Sequence, residues 1–339
     1  MNSDLPFSWR SKAAKRTVLI LVVGLIALYG VLPNIHAFGL NARMAFPAHW
    51  PYLLAAVAVF SLTFVSSSFS YTLLALRKVR QYQLLLVQIA SVPLNLLLPA
   101  GVGNLGFNYL FLRSRGHKRA EAGLVVGMNN IVGVFGNVAV LAVLLITFGV
   151  NPKVLNIYSD HKNWLAGVSA GLALLAIAAA WFMSSRIKLA REVRHHLLGA
   201  IREYRHRLHR LGGAFLCAVL QASVTGLAFW LTLHAYAIHL SYPLSFVIYG
   251  LSVMIGAIIP TPGGLGGVEA TLTAGIVAAH GAATSRALAA VLAYRLISYW
   301  LPVIIGLVAL FGVQRSGMMQ NINLRQKKNS RTIGRYSHV

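Results

Sequence analysis

Long apolar runs separated by short basic segments organise this chain, and the pattern predicts helices that cross a membrane. A helix rises about 1.5 Å per residue, so about 20 apolar residues cross a hydrocarbon core of about 30 Å. Six runs have roughly this length and few charges: 17–35, 51–76, 121–150, 164–183, 213–235 and 287–312. Basic residues precede the first run as in a signal peptide, but no small-x-small cleavage site follows it. We therefore expect the first run to remain as a span.

Two other apolar segments, 84–112 and 243–280, are interrupted by proline and glycine and predict helical hairpins that turn inside the membrane. Proline removes a backbone donor and glycine readily leaves helical geometry, while hydrocarbon offers no water to the freed backbone groups. Such a break is stable only where protein or a wet cavity covers it. Aligned at Pro99 and Pro260, the two interruptions are interpreted as copies of one unit.

Lysines and arginines fall mostly in the segments that alternate crossings place on one side of the membrane, which we take as the cytoplasmic side. This bias is strongest if both hairpins return to the side from which they enter. The predicted fold is therefore an all-α polytopic membrane protein with about six spanning helices and two re-entrant helical hairpins. A first repeat over 17–150 and an inverted repeat over 151–312 follow a common transporter plan. Both basic ends, 1–16 and 313–339, are expected in the cytoplasm, the second one disordered.

Composition agrees with a membrane protein, because 57% of the 339 residues are hydrophobic and 11% are charged, against about a quarter charged in soluble domains. A net charge of +24 would indicate a nucleic-acid partner in a soluble protein. Here the basic residues lie between spans, where they set topology and meet anionic lipid, so we expect no nucleic acid. The single cysteine, Cys217, excludes an internal disulfide, and no His-Glu-x-x-His motif occurs. We expect neither a metal nor a cofactor.

Residues 186–210 alternate arginines with apolar residues every three or four positions, which predicts an amphipathic helix on the membrane surface. We expect the basic residues from Arg186 to Arg210 to hold anionic lipid of the inner leaflet. Recruitment of a substrate is the alternative role.

The two hairpin tips form the candidate binding site, because the helix that returns from each tip begins near the middle of the membrane. Its unpaired N–H groups and the positive end of its dipole suit a phosphate or carboxylate. Asn104 and Asn108 add amide groups at the first tip. The glycines expected to let the backbone approach a ligand are Gly103, Gly263, Gly264, Gly266 and Gly267. The alternative is that these glycines only allow the hairpins to pack tightly.

Glu269 is the acidic residue that this topology places deep in the membrane, where an isolated charge is costly. Arg295, roughly 13 Å into the last span, is its predicted partner. Asn130 occupies the equivalent position in the first repeat and joins the candidate site. The pair has two interpretations. It is either a structural ion pair that also compensates a helix dipole, or a pair that opens to hold a lipid headgroup or to couple its passage to proton movement.

Residues 259–269 (IPTPGGLGGVE) and 289–297 (AAVLAYRLI) resemble the second signature of the lysylphosphatidylglycerol synthase transmembrane family, and the similarity extends over most of the chain. The first signature of that family, Pro-x-x-x-Gly-Glu-x-x-Arg, would place an acid at Asn104 and a base at Phe107. Its usual arginine in the following span corresponds to Asn130. The first repeat is therefore neutral where the second is charged.

This resemblance implies a bacterial inner-membrane protein that moves a lipid with an anionic or zwitterionic headgroup between leaflets, as a flippase or lipid transporter. We expect no enzymatic activity, because too few residues follow Gly312 for a soluble synthase domain. One alternative is an accessory protein that presents a polyprenyl or glycolipid intermediate to a glycosyltransferase without transporting it. Another is an ion or small-solute carrier. Assembly as a homo-oligomer or with a partner enzyme stays open.

Overall fold

The computed structural model describes residues 49–97, 102–148, 204, 207–258 and 266–315, and every regular element in these ranges is a helix. In chain order the helices are α1 (Trp50–Leu74), α2 (Gln81–Ser91), α3 (Leu94–Leu97), α4 (Val102–Ser114), α5 (Arg119–Phe148), α6 (Leu208–Ala235), α7 (Tyr242–Ile258), α8 (Gly267–His280), α9 (Thr284–Arg295) and α10 (Leu301–Arg315). A π-helical turn, Leu296–Trp300, joins α9 to α10. The predicted all-helical fold is confirmed for the described part of the chain.

Four stretches in these ranges are long and apolar enough to cross a membrane: α1, α5, α6 and the continuous helix Thr284–Val313. They coincide with the second, third, fifth and sixth predicted spans, while the first and fourth lie outside the described residues. The largest boundary difference is at α6, which begins at Leu208 rather than at the predicted Gly213. On α5, large apolar side chains such as Phe135 and Ile146 are exposed, as contact with lipid chains requires.

Helices α1 and α6 run antiparallel and form the centre of the described structure. At one end, the backbone N–H of His49 donates to the carbonyl of Ala235 at 3.1 Å. At the other end, the hydroxyl of Tyr204 donates to the carbonyl of Leu74 at 2.5 Å. The direction of α6 is therefore opposite to that of α1, as the predicted topology requires.

Two separate hydrophobic clusters lie at opposite ends of this antiparallel pair. One cluster packs the end of α1 and the start of α6 against α2, α4 and α5, with Leu84 and Phe111 fully buried. The other packs the start of α1 and the end of α6 against α7, α8 and α9, with Phe229 and Leu272 fully buried. Each cluster therefore holds one of the two predicted hairpins, and the two hairpins occupy opposite ends of the α1–α6 pair.

The first hairpin consists of α2, α3 and α4, and its two ends meet. The backbone N–H of Arg77, before α2, donates to Nε2 of His117, after α4, at 3.2 Å. The Arg77 guanidinium also pairs with Glu121 at 3.2 Å. Near the tip, a Cβ atom at Gly103 would overlap the carbonyl of Leu94, so only glycine allows this approach of the two arms. Residues 98–101, which join the arms, lie outside the described ranges.

The second hairpin consists of α7 and α8, which pack against each other. A Cβ atom at Gly275 would overlap the side chain of Ile248, so a small residue permits the close contact. The arms differ in length: α7 has 17 residues, about 26 Å at 1.5 Å per residue, and α8 has 14 residues, about 21 Å, against a hydrocarbon core of about 30 Å. The connection between the arms, residues 259–265, lies outside the described ranges.

Candidate functional site

The start of α8 places the carboxylate of Glu269 beside the tip of the second hairpin. Gly266 precedes the helix with φ +87°, a conformation that favours glycine. Its backbone N–H donates to Oε2 of Glu269 at 2.7 Å, so this carboxylate caps the helix that carries it. A negative charge in the first turn also complements the helix dipole. Gly267, the first residue of α8, is buried, whereas Gly263 and Gly264 lie outside the described residues.

Arg295, at the end of α9, is the ion-pair partner of Glu269, as the sequence predicted. Its Nε lies 2.5 Å from Oε1 of Glu269, and the two side chains are 10% and 15% exposed. A charge-assisted bond of this length belongs to the strong class, and the low exposure limits screening by water. The second carboxylate oxygen stays on Gly266, so one acid joins the helix start to the neighbouring span.

Tyr299 is a third member of the site that the sequence reasoning missed. The guanidinium carbon of Arg295 lies 4.8 Å from the centre of its ring, which is cation–π geometry. Its hydroxyl is buried and has no hydrogen-bond partner among the described residues. The only signal in the sequence was the four-residue spacing from Arg295, which places two side chains on one helix face.

The π-helical turn that follows Arg295 gives this part of the span an irregular backbone. The backbone N–H of Leu301 donates to the carbonyl of Leu296, five residues earlier, rather than to that of Ile297 as in an α-helix. The next residue, Pro302, has no N–H to donate. Single π-helical turns of this kind occur frequently at functional sites. Arg295 is the last α-helical residue before the turn, and Tyr299 lies within it.

An open groove of about 610 Å³ begins at Glu269 and runs between α8 and α9. Apart from Glu269, its lining is apolar or hydroxylated, with alanines at 270, 274 and 278 on successive turns of α8. Leu288 lines it from α9. Small side chains keep this space open. The groove therefore has a charged end and a long apolar flank.

The first hairpin contains a neutral network in place of an ion pair. Nε2 of Gln88, on α2, donates to Oδ1 of Asn108, on α4, at 2.7 Å. Nδ2 of Asn108 donates to Oδ1 of Asn104 at 2.5 Å, and Ser67 Oγ of α1 donates to Oε1 of Gln88 at 3.2 Å. Asn108 is fully buried. Side-chain amides therefore hold the two arms together and tie them to α1.

A side chain of the opposite arm also satisfies a backbone N–H at the start of α4. Oδ1 of Asn95, on the opposite arm, accepts the backbone N–H of Asn104 at 2.9 Å. Together with the approach of Gly103 to Leu94, this bond favours the packing interpretation for the first tip. Among the predicted site residues, Asn104 and Asn108 are brought together here.

Asn130 is not joined to this network by any hydrogen bond among the described residues. It is exposed on α5, and its Nδ2 donates to the carbonyl of Val126 in the same helix at 3.2 Å. The adjacent Asn129 accepts from Ser70 Oγ of α1 at 2.8 Å instead. In the described ranges no three His, Cys, Asp or Glu side chains cluster as metal ligands.

Comparison with protein-family models gives a match to the lysylphosphatidylglycerol synthase TM region over residues 17–306. The match includes both hairpins, Glu269 and Arg295. Comparison with curated proteins gives no match.

Proposed function

Because the chain belongs to the lysylphosphatidylglycerol synthase transmembrane-region family, we propose that it is a lipid flippase or lipid transporter that binds a headgroup beside Glu269 and Arg295. The observation that carries the proposal is the largely buried ion pair at the charged end of an apolar groove. A membrane lipid has the same division into a charged headgroup and apolar chains. The protein acts without catalysing a covalent reaction.

The ion pair supplies complementary partners for an anionic or zwitterionic headgroup. Arg295 suits a phosphate, since a guanidinium donates two parallel hydrogen bonds to such oxygens. Glu269 suits an ammonium group on the same headgroup. The buried hydroxyl of Tyr299 adds a donor or acceptor that has no partner in the described structure. When the pair opens, a bound headgroup replaces each partner, so neither charge is left isolated in the membrane.

The groove between α8 and α9 receives an acyl chain while the headgroup is held at Glu269. Its alanine-lined wall offers apolar surface without large side chains that would fill the space. An acyl chain in this groove remains in an apolar environment throughout. Only the headgroup then requires a protein partner during its passage.

The hairpins form the pathway as re-entrant elements of an inverted repeat with about six spans and both termini in the cytoplasm. Support comes from their arms, which are shorter than a span, and from their positions at opposite ends of the α1–α6 pair. Because the two hairpins enter the membrane from opposite faces, a headgroup can reach the midplane from either leaflet. We place the protein in the bacterial inner membrane. The basic segment from Arg186 to Arg210, most of which lies outside the described residues, is proposed to hold the anionic inner leaflet.

A reconstitution experiment with Glu269→Gln tests this function. Purified protein is placed in liposomes that contain labelled phosphatidylglycerol, lysyl-phosphatidylglycerol or phosphatidylethanolamine, and a leaflet-selective quencher measures transfer. We expect the wild type to move at least one lipid faster than empty vesicles do. We expect Glu269→Gln to slow this transfer about tenfold or more, because a hydrogen bond to a charged group contributes about 1.5–3 kcal/mol.

Glu121→Gln is the matched control. Glu121 also lies in the first turn of its helix, accepts the backbone N–H three residues before it at 2.7 Å, and pairs with an arginine. It differs from Glu269 in lying outside the groove. Transfer by Glu121→Gln should equal that of the wild type. The proposal fails if Glu269→Gln transports normally, or if no lipid moves faster than in empty vesicles.

A further inference from the structure

Two histidine side chains meet where α6 ends. His234 lies in the last turn of α6, and His239 lies in the loop that leads to α7. Their ring centres are 5.2 Å apart, and the ring planes make an angle of 76°. Four residues separate the two histidines in the sequence, within the spacing of roughly three to five residues found between paired zinc-binding histidines. His239 is exposed, so an ion in solution can reach the pair.

A hydrogen bond to the backbone fixes the tautomer of His234. Its Nδ1 lies 3.0 Å from the carbonyl oxygen of Trp230. A carbonyl oxygen can only accept, so Nδ1 carries the proton and the lone pair of the neutral ring is on Nε2. Histidines that bind metals almost always donate their other ring N–H in this way. The bond therefore presents Nε2 as a metal ligand.

A tight reversal of the chain brings His239 back towards α6. The N–H of Ala237 donates to the carbonyl of His234 at 3.1 Å, and the N–H of Ile238 donates to that of Leu233 at 3.0 Å. These are the two bonds of a Schellman motif. Its left-handed position, which usually holds glycine, is taken by Ala237 with φ 54°. A non-glycine residue in this conformation costs of order 1–3 kcal/mol, and such strain concentrates at ligand sites.

The residues on both sides of His239 are fixed by packing. Ile238 is fully buried and Leu240 is 7% exposed. The indole N–H of Trp230 donates to the carbonyl of Leu240 at 2.8 Å. Trp230 therefore bonds both to His234, through its carbonyl, and to the residue that follows His239, through its indole. The pair is preformed, so a ligand would pay little to order it.

The separation of the two rings fits one zinc ion. Zn–N bonds are about 2.0–2.1 Å long, and an imidazole nitrogen lies about 1.2 Å from its ring centre, so a tetrahedral angle places two ligand ring centres about 5.3 Å apart. An angle of about 90°, as in square-planar coordination, would place them about 4.6 Å apart. The measured 5.2 Å agrees with the tetrahedral value.

The charges around the pair favour a cation. No lysine or arginine occurs in the sequence between Arg210 and Arg286. His234 lies at the C-terminus of a 28-residue helix, which is the negative end of the helix dipole. A further histidine at this end, His49, has its ring against Tyr52. Since no three His, Cys, Asp or Glu side chains of the described ranges are grouped as metal ligands, water would complete the coordination.

We propose that His234 and His239 bind a Zn²⁺ ion through Nε2 of His234 and a ring nitrogen of His239. Imidazole is a ligand that suits zinc. The ion joins the end of α6 to the loop before α7, which is the first arm of the second hairpin. The site is separate from the Glu269–Arg295 pair, and the proposal does not depend on lipid transport.

Isothermal titration calorimetry of the full-length, untagged protein in detergent tests the site. ZnCl₂ is the titrant, and MgCl₂ is the metal control because Mg²⁺ prefers oxygen ligands. The test variant is His239→Ala. The matched control is His280→Ala, which removes an exposed histidine from the last turn of α8. His239→Cys is the rescue variant, because a thiolate also binds zinc. The exposure of both side chains lets all three variants fold.

We expect saturable zinc binding to the wild type, with an apparent Kd raised about tenfold or more in His239→Ala, since loss of even an outer-shell partner of a metal ligand costs about 10–100-fold in affinity. His239→Cys should retain binding, and His280→Ala should match the wild type. Unchanged binding by His239→Ala, or equal weakening by His280→Ala, would overturn the proposal and leave the two rings as an edge-to-face contact. Binding of Mg²⁺ with the same affinity would also overturn it.

Discussion

The hairpin of α2 to α4 and the hairpin of α7 and α8 both carry polar groups near the start of their second arm, but with different chemistry. In the first, Gln88, Asn108 and Asn104 bond to one another and to α1. In the second, Glu269 and Arg295 form an ion pair beside an open groove. The positions Asn108 and Glu269 correspond when the two Pro-Gly interruptions are aligned.

In the proposed function, this difference corresponds to a packing role for the first hairpin and a binding role for the second. An amide network can be satisfied entirely within the protein, and neutral groups need no exchange partner. A charged pair beside a groove can exchange its partners for those of a ligand, and its neighbour Tyr299 has a buried hydroxyl that no described residue satisfies. We therefore propose that binding occurs at the second hairpin and that the amide network of the first hairpin serves packing.

Arg295→Gln should have the largest effect on stability. It leaves the carboxylate of Glu269 without its partner at 15% exposure, and breaking a buried ion pair costs about 3–5 kcal/mol. Unfolding of the purified protein in mixed micelles measures this loss. The double variant Glu269→Gln with Arg295→Gln removes both charges and should recover more than half of it. A double variant as unstable as the sum of the singles would mean that the two charges are not coupled.

Asn108→Ala should have an intermediate effect on stability and none on lipid transfer. It removes the acceptor of Gln88 and the donor to Asn104, and a buried unsatisfied group costs about 1–3 kcal/mol. Asn130→Ala is the control, because Asn130 is exposed and bonds only within α5 in the described structure. Its effect should stay within about 0.5 kcal/mol. Slower transfer per folded Asn108→Ala protein would assign binding to both hairpins.

Glu121→Gln should have a small effect, about 0–1 kcal/mol, because Arg77 is 45% exposed and the ion pair is screened. The amide oxygen can still accept the backbone N–H of Lys118. Unfolding at low and high salt checks the result, since the difference from the wild type should shrink as salt increases. A loss as large as that of Arg295→Gln would remove the distinction between the exposed and buried pairs.

The smallest expected effect on stability is confined to acidic pH. It concerns His117, which lies where the two ends of the first hairpin meet. Burial lowers the pKa of His117, whose Nε2 accepts the backbone N–H of Arg77 and whose Nδ1 faces the carbonyl of Leu112. Protonation would place a donor against the Arg77 donor. Well above the unfolded pKa of about 6.5, the side chain is neutral in both states. As pH falls from there through the folded pKa, the unfolded state binds the proton first and stability decreases.

Unfolding measured between pH 7.5 and 5 tests this expectation against His117→Gln. The wild type should lose more stability than the variant over this interval, which contains the unfolded pKa of about 6.5. Parallel curves would show that His117 does not set the acid response.

The sequence predicted those features that depend on local composition or on rare residue types. Apolar length and basic flanks located the four long helices, and the scarcity of buried charges identified Glu269 and Arg295 as partners. The contacts of Asn108 were not predictable, because Gln88 lies in an apolar run of another helix and only tertiary packing brings the two together. Tyr299 resembled any aromatic residue of a span. The sequence also placed the start of α6 five residues too late, because Leu208 to Arg210 continue the alternation of basic and apolar residues that predicted a surface helix.

Cysteine accessibility tests the central claim, that each hairpin enters and leaves the membrane on one side and the two enter from opposite faces. In a Cys217→Ser background, single cysteines are introduced as Lys78→Cys and Lys118→Cys around the first hairpin, and as Ser241→Cys and Thr284→Cys around the second. An impermeant maleimide should label the first two from the cytoplasmic side and the last two from the opposite side. Labelling of positions 78 and 118 from opposite sides would contradict the account.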